Sequence, residues 1–205
     1  MKKYFKFVLS AILIAVAIVI MVLIKNGGIV NFDSEVYKTV TSNMNDILTN
    51  IYKGFTFLGS TIFIIGACLA ILIFMKNKKK AVVIVGSVAI STVVNQAIKH
   101  IFRRERPSVL KLVEEKSFSF PSGHTMASTT LYGVLIYFVM KSNMKKGVKI
   151  TLSVILGLLP ICVAVSRIYL GAHYASDVIG GAIISTALLL VETVYIDKYF
   201  DKIEK

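Results

Sequence analysis

The sequence predicts an all-α protein, a six-transmembrane-helix bundle with an amphipathic helix or loop on its outer face. Three observations lead there. Apolar runs long enough to cross a bilayer recur along the 205 residues, 56% of which are hydrophobic; the centres of those runs carry no charge; and lysine clusters separate the runs at alternate ends. A helix needs about 20 apolar residues to cross the hydrocarbon core, and a charge near its centre costs about 2.5–3.5 kcal/mol on the insertion scale. The chain therefore reads as one integral membrane domain, 1–205, with spans at about 5–24, 55–75, 81–98, 124–140, 150–170 and 178–196.

The first span contains Phe7 to Ile24, eighteen residues without a charge. Lys2 and Lys3 imitate the n-region of a signal peptide, but the run exceeds the usual h-region of about 7–15 residues, and no small-x-small cleavage site follows Ile24. The expectation is an anchor. Segment 25–54 has Val36, Val40, Met44, Ile47, Leu48 and Ile51 at helical spacing, with Asp33, Glu35, Asn43, Asp46 and Asn50 on other faces. It reads as an amphipathic helix that either lies along the bilayer surface or covers the bundle mouth, with a purely structural cap the favoured role.

Gly54 to Met75 supplies the second span. Lys76, Lys78, Lys79 and Lys80 lead into the third, and Lys141, Lys145, Lys146 and Lys149 join the fourth to the fifth. Lys2, Lys3 and Lys6 at one end and Lys198, Lys202 and Lys205 at the other fall on the same side. The positive-inside rule makes that side cytoplasmic, so both termini are expected inside. The formal net charge of +13 would suggest nucleic acid in a soluble chain, but these lysines punctuate apolar spans, and no nucleic-acid partner is expected. Cys68 and Cys162 lie inside apolar runs and point to neither a disulfide framework nor a metal cluster.

Against that pattern, segment 99–116 carries Lys99, Arg103, Arg104, Arg106, Lys111 and Lys116 on the outer side. The chain has twenty lysines and four arginines, and all four arginines (103, 104, 106 and 167) lie by the outer mouth. A guanidinium fork matches phosphate oxygens in bidentate fashion, whereas a lysine suffices as a point charge for topology. The arginines read as oxyanion ligands; contact with anionic lipid headgroups is the alternative. In "NQAIKHIFRRERP", Asn95, Lys99, Arg103 and Arg106 would share one face if the third span continued to about Arg106, where Pro107 disfavours helix.

In "SFSFPSGHTMAS", Pro121, Ser122 and Gly123 open the fourth span, exposing free backbone N–H groups at a helix N-terminus. Such an end attracts anions, and Gly123 lets an oxyanion approach the backbone. A plain cap explains "PSG" by itself, but His124 stands in the first turn, where an anion would sit. In "SRIYLGAHYASD", His173 and Asp177 are four apart, a spacing at which a carboxylate can reach an imidazole across one helical turn. An aspartate on one ring nitrogen fixes the tautomer and frees the lone pair of the other.

The ordered triple of Lys99-x6-Arg106-Pro107, then Pro121-Ser122-Gly123-His124, then Ser166-Arg167-x5-His173-x3-Asp177 resembles the signature of the type 2 phosphatidic acid phosphatase superfamily, in its integral-membrane lipid phosphatase branch. The resemblance implies that His173 is the nucleophile oriented by Asp177, that His124 is the general acid on the leaving oxygen, and that Lys99, Arg106, Ser122, Gly123 and Arg167 hold the phosphoryl oxygens. Arg104, Pro121 and Ser166 are secondary positions. No metal or other cofactor is expected, because three cationic side chains and a helix N-terminus can stabilise the equatorial oxygens.

The expected activity is hydrolysis of the terminal phosphate of a lipid phosphate or diphosphate at the outer face of the cell membrane, through a phospho-histidine intermediate. Undecaprenyl diphosphate, phosphatidylglycerol phosphate and phosphatidic acid fit equally, with the lipid tail entering laterally between spans. A phosphate or phospholipid transporter, or a phosphotransferase of the same family, are the alternatives at this point.

Overall fold

The structure, a computed structural model, describes residues 2–203. Among the described residues there are eight helices and no strand: α1 (Lys2–Lys25), α2 (Val30–Thr41), α3 (Asp46–Phe57), α4 (Thr61–Phe74), α5 (Lys78–Phe102), α6 (Gly123–Lys141), α7 (Lys146–Tyr169) and α8 (Ala175–Ile203). Four stretches within them are long and apolar enough to cross a bilayer: Lys3–Lys25, Lys78–Phe102, Lys146–Tyr169 and Ala175–Phe200. A fifth is available if the bent pair α3 and α4 counts as one.

Side-chain caps set half of the helix starts, those of α3 to α6. The Asn45 side chain accepts from Leu48 N at 2.9 Å, Ser60 from Phe63 N at 3.2 Å and Asn77 from Lys80 N at 3.1 Å, each satisfying a donor that the first turn leaves free. The Ser60 cap changes the expected second span. Instead of one helix over 55–75, the chain breaks at Leu58–Ser60 into α3 and α4, which meet at 45°. At 1.5 Å per residue, α4 alone is about 21 Å long, short of the hydrocarbon thickness.

The expected single amphipathic helix in 25–54 is likewise two helices, because residues 42–45 end one and Asn45 caps the next. The apolar stripe of α2 is real: Val36, Tyr37 and Val40 pack on Ile168, Ala175 and Val178 of α7 and α8. Its Asp33, expected on an outer polar face, is instead only 3% exposed.

The bundle centre is α6, which packs against α4, α5, α7 and α8, while α1 lies along α8. Leu131 and Val134 of α6 join Ile64, Cys68, Ile84, Val88 and Ile196 in the core. Large apolar side chains face outward on α1 and α7, among them Ile12, Val19, Val22, Ile155, Leu158 and Ile161. A soluble protein would hide that much apolar surface; a lipid-facing one has no reason to. At the end of the bundle where α1 begins and α8 finishes, Asp197 accepts from Lys6 Nζ at 3.1 Å and from Tyr137 Oη at 2.6 Å and pairs with Lys141, joining α8 to α1 and α6.

Candidate active site

The site is built where α5 ends, α6 begins and α7 turns into α8. The α5 helix carries Asn95 and Lys99 to its last turns and stops at Phe102, four residues earlier than the sequence suggests. Arg103 takes a left-handed conformation (φ 51°), and its N–H closes the helix on the Lys99 carbonyl at 2.9 Å. The turn is held by Arg104, whose guanidinium is drawn inward to two carboxylates, Asp33 at 2.8 Å and Asp177 at 2.6 Å. The shared face expected for Asn95, Lys99, Arg103 and Arg106 therefore holds only as far as Lys99. Arg103 is exposed, donating to the His100 carbonyl at 2.9 Å, and does not line the cavity that Lys99 and Arg106 share.

Arg106 reaches the site from the loop. Its Nε donates to the Ser117 carbonyl at 2.7 Å and its Nη1 to the Ala172 carbonyl at 2.7 Å, with Nη1 also 3.3 Å from His173 Nε2. Buried Lys99 donates from Nζ to the Phe118 carbonyl. Asn95 donates to the Pro121 carbonyl at 3.0 Å, tying α5 to the turn that starts α6.

That turn contains a cis Phe120–Pro121 bond. Ser122 is the N-cap of α6: its Oγ accepts from Thr125 N at 3.4 Å and from Thr125 Oγ1 at 3.0 Å, and the residue is wholly buried. Gly123 is the first helical residue. A Cβ there would lie 3.3 Å from Asn95 Oδ1 and 4.0 Å from Lys99 Cε, so any side chain here would press on Asn95, which would have to give by a few tenths of an ångström. His124 follows, with Nδ1 3.8 Å from a Glu115 carboxylate oxygen.

The third segment begins with Ser166 and Arg167 on the last turns of α7. Ser166 Oγ donates back to the Val163 carbonyl at 2.6 Å, within its own helix. Arg167 is 1% exposed; Nη1 donates to Thr56 Oγ1 on α3 at 2.7 Å, Nη2 pairs with Glu115, and Nε has no hydrogen-bond partner among the described residues. An unsatisfied buried donor costs about 1–3 kcal/mol, so this one is suited to an incoming acceptor. Gly171 (φ 67°) then turns the chain where a Cβ would collide with the Leu110 carbonyl.

His173 sits in that turn, before α8 rather than on it. The expected pair with Asp177 forms, but from the loop onto the first turn of α8, not across a helical turn: Nδ1 to Oδ2 is 3.4 Å. Asp177 Oδ2 also accepts from Tyr174 N at 3.0 Å and from Ser119 Oγ at 2.5 Å. With Nδ1 facing a carboxylate, the Nδ1–H tautomer is favoured, and the Nε2 lone pair points toward Arg106 and the cavity. Burial pushes His173 down to about 4; Asp177 opposes the shift, and Arg167 and Arg106 add to it. The ring is therefore neutral near pH 7.

Lys99, Arg106, Gly123, His124 and His173 line one cavity of about 550 Å³, together with Glu115. From that polar end it continues between α4 and α5 along Ile65, Cys68, Leu69 and Leu72 on one side and Val85, Val88, Ala89 and Val93 on the other. Sequence reasoning missed Glu115, Thr56 and Ser119, which no spacing connects to the three segments.

Residues 80–201 match the family model for the PAP2 superfamily. The chain belongs to the PAP2 superfamily. Among PAP2 relatives, it is 31% identical to phosphatidylglycerophosphatase B of Bacillus subtilis over 187 residues, 87% of this chain and 88% of that protein. It is 27% identical to undecaprenyl-diphosphatase of Sulfolobus acidocaldarius over 188 residues, 88% of this chain and 86% of that one. The fold matches the crystal structure of a transmembrane PAP2-type phosphatidylglycerolphosphate phosphatase from Bacillus subtilis with a TM-score of 0.85 at 26% identity, over 92% of this chain and 96% of that one. It matches Aquifex aeolicus LpxE with a TM-score of 0.65 at 25% identity, over 78% and 94%. The PAP2 match begins at Lys80, so α1 to α4 lie outside it.

Proposed function

We propose that the chain is a membrane lipid phosphatase that hydrolyses the terminal phosphate of a lipid phosphate or diphosphate, of the undecaprenyl diphosphate, phosphatidylglycerol phosphate or phosphatidic acid class. The observation that carries this reading is one cavity with two ends of opposite chemistry. Its polar end gathers cations, a helix N-terminus and a histidine whose Nε2 faces Arg106 Nη1 and the cavity; its other end is an apolar groove between two helices. A phosphorylated headgroup suits the first and a hydrocarbon tail the second.

In the reaction, His173 Nε2 attacks phosphorus as the bond to the leaving oxygen breaks, forming a phospho-histidine. His124 gives that oxygen a proton. Lys99, Arg106, Arg167 and the Gly123 N–H hold the equatorial oxygens, where charge accumulates. Water then attacks phosphorus, His124 takes its proton, and the N–P bond breaks to release phosphate. Asp177 keeps the proton on Nδ1 and supports the charge that develops on the ring. Ser122 acts through the cap that fixes Gly123, and Arg104 through Asp177.

The wider arrangement belongs to the same reading: residues 1–205 form one domain crossing the membrane six times, with the α3–α4 pair as the second crossing and α6 as the fourth. Because α6 is surrounded by other helices, it does not need the apolarity of a lipid-facing span. Lysine placement supports cytoplasmic termini and an outward-facing site. A Lys111→Cys variant without the native cysteines should react with an impermeant maleimide in intact cells; protection would reverse the orientation.

Phosphate release by purified wild type and His173→Ala tests the chemistry. The substitution should abolish turnover and leave lipid-phosphate binding. Equal rates would exclude the phospho-histidine route, and binding with no release by wild type would favour a transporter.

A further inference from the structure

Asp33 lies in the first turn of α2, outside the segment that matches the PAP2 family, and it is 3% exposed. A buried carboxylate is costly unless its oxygens are satisfied. Here Oδ1 accepts from Ser176 N at 2.8 Å, and Oδ2 accepts from Ser176 Oγ at 2.7 Å and from Arg104 Nη2 at 2.8 Å. The other arm of the same guanidinium, Nη1, donates to Asp177 Oδ1 at 2.6 Å and to Ser176 Oγ at 2.8 Å. Its carbon is 3.9 Å from the centre of the Tyr174 ring, so the fork is packed against an aromatic ring as well as bonded at both ends. Four groups thus stand in line: Asp33, Arg104, Asp177 and His173.

The charges along this line alternate, and that has a consequence for the imidazole. An arginine bound to Asp177 alone would draw its carboxylate charge away from His173 Nδ1. With Asp33 on its other side, Arg104 is already neutralised, and Asp177 keeps its charge for the histidine. The fork also fixes the carboxylate: with Oδ1 held by Arg104, Oδ2 is the oxygen turned to the ring.

We infer that Asp33 is a positioning residue of the active site, acting through Arg104 to hold Asp177 in the charge state and orientation that His173 needs. This rests on the reading of His173 as nucleophile. It also gives α2 a part in catalysis beyond packing: the outer helix carries the last member of the line.

A purely structural Asp33 would only staple α2 to the start of α8 through Ser176 N–H. Asp33→Asn separates the two roles, because the amide oxygen can still accept from Ser176 while the charge facing Arg104 is lost. The measurement is phosphate release from a short-chain phosphatidic acid by purified protein in detergent, with kcat, KM and the thermal unfolding midpoint recorded. The expected result is a kcat lower by about tenfold or more, as for other supporting partners of a working histidine, with KM little changed and the midpoint near that of wild type. Arg104→Gln should do the same, and the double variant should be no worse than the worse single one, since both break one line. An unchanged kcat in Asp33→Asn, or losses that multiply in the double variant, would overturn the inference. If Asp33→Asn does not fold, Arg104→Lys decides: its ammonium keeps a charge beside Asp177 but cannot span both carboxylates. A fall in kcat at constant KM supports the line, and an unchanged kcat removes it. No phosphate release from wild type would remove the phosphatase reading and this inference with it, whereas equal kcat for wild type and Asp33→Asn removes the inference alone.

Discussion

Glu115, which lines the cavity, pairs with Arg167, and its second carboxylate oxygen stands 3.7 Å from Arg106 Nη2. The same side chain is 3.8 Å from His124 Nδ1, so one carboxylate touches three of the groups proposed to meet the phosphoryl group and its leaving oxygen. A carboxylate is itself a planar oxyanion and satisfies an arginine fork as a phosphate would. Glu115 is a quarter exposed and comes from the loop, not from a helix, so it can be displaced without disturbing the bundle.

Competition between that carboxylate and a ligand sets the first expectation. Glu115→Gln should bind orthovanadate more tightly, because the entering anion no longer displaces a charge. A part-exposed ion pair contributes up to about 1 kcal/mol, which is about fivefold in an inhibition constant. Inhibition of phosphate release by vanadate, titrated for both proteins, checks it; an unchanged or weaker inhibition would mean that Glu115 does not share the anion's place.

Glu115 also marks where the sequence stops being legible. The three segments that converge could be read in advance because each couples a chemical need to a local rule: a cap before a helix, a glycine at a close approach, an aspartate within reach of a histidine. Helix boundaries failed where tertiary contacts overrode local signals. Nothing in "FRRERP" announces a left-handed Arg103, since the turn is set by two carboxylates far along the chain that hold Arg104. The apolar run of 55–75 hides a break that Ser60 makes, because hydropathy averages over a cap. Asp33 looked like part of a polar face, and only the folded bundle brings Arg104 and Ser176 to it. Such pairings depend on three-dimensional proximity, which the spacing of one chain does not encode.

The groove between α4 and α5 sets a second expectation. Ala89 lines it between the headgroup end and its far end at Leu72 and Val85. An aromatic ring at this position would shorten the space for a tail, so Ala89→Phe should raise KM for a long-chain lipid phosphate and leave a water-soluble phosphate monoester unaffected. Losing the burial of about two methylenes, at about 0.8 kcal/mol each, corresponds to roughly tenfold in KM. Parallel kinetics on the two substrates make the comparison, and an equal change on both would place the tail elsewhere.

Protonation of His173 sets the third. The proposed nucleophile is the neutral ring, and with His173 pushed down to about 4 that form dominates above this value. Plots of kcat/KM, corrected for the titration of the substrate itself, should therefore show no loss from His173 until the pH falls to about 4, then decline with unit slope as the ring takes up a proton. Burial is the main cause of the low value, and Arg167 and Arg106 reinforce it by repelling the added charge. Removing one of these cations relieves part of that repulsion. In Arg106→Gln the acid limb should move to higher pH, on top of a lower rate overall, because the protonated ring then competes earlier. A limb that stays in place in Arg106→Gln would mean that the ring does not sense this cation, despite the 3.3 Å between Arg106 Nη1 and His173 Nε2.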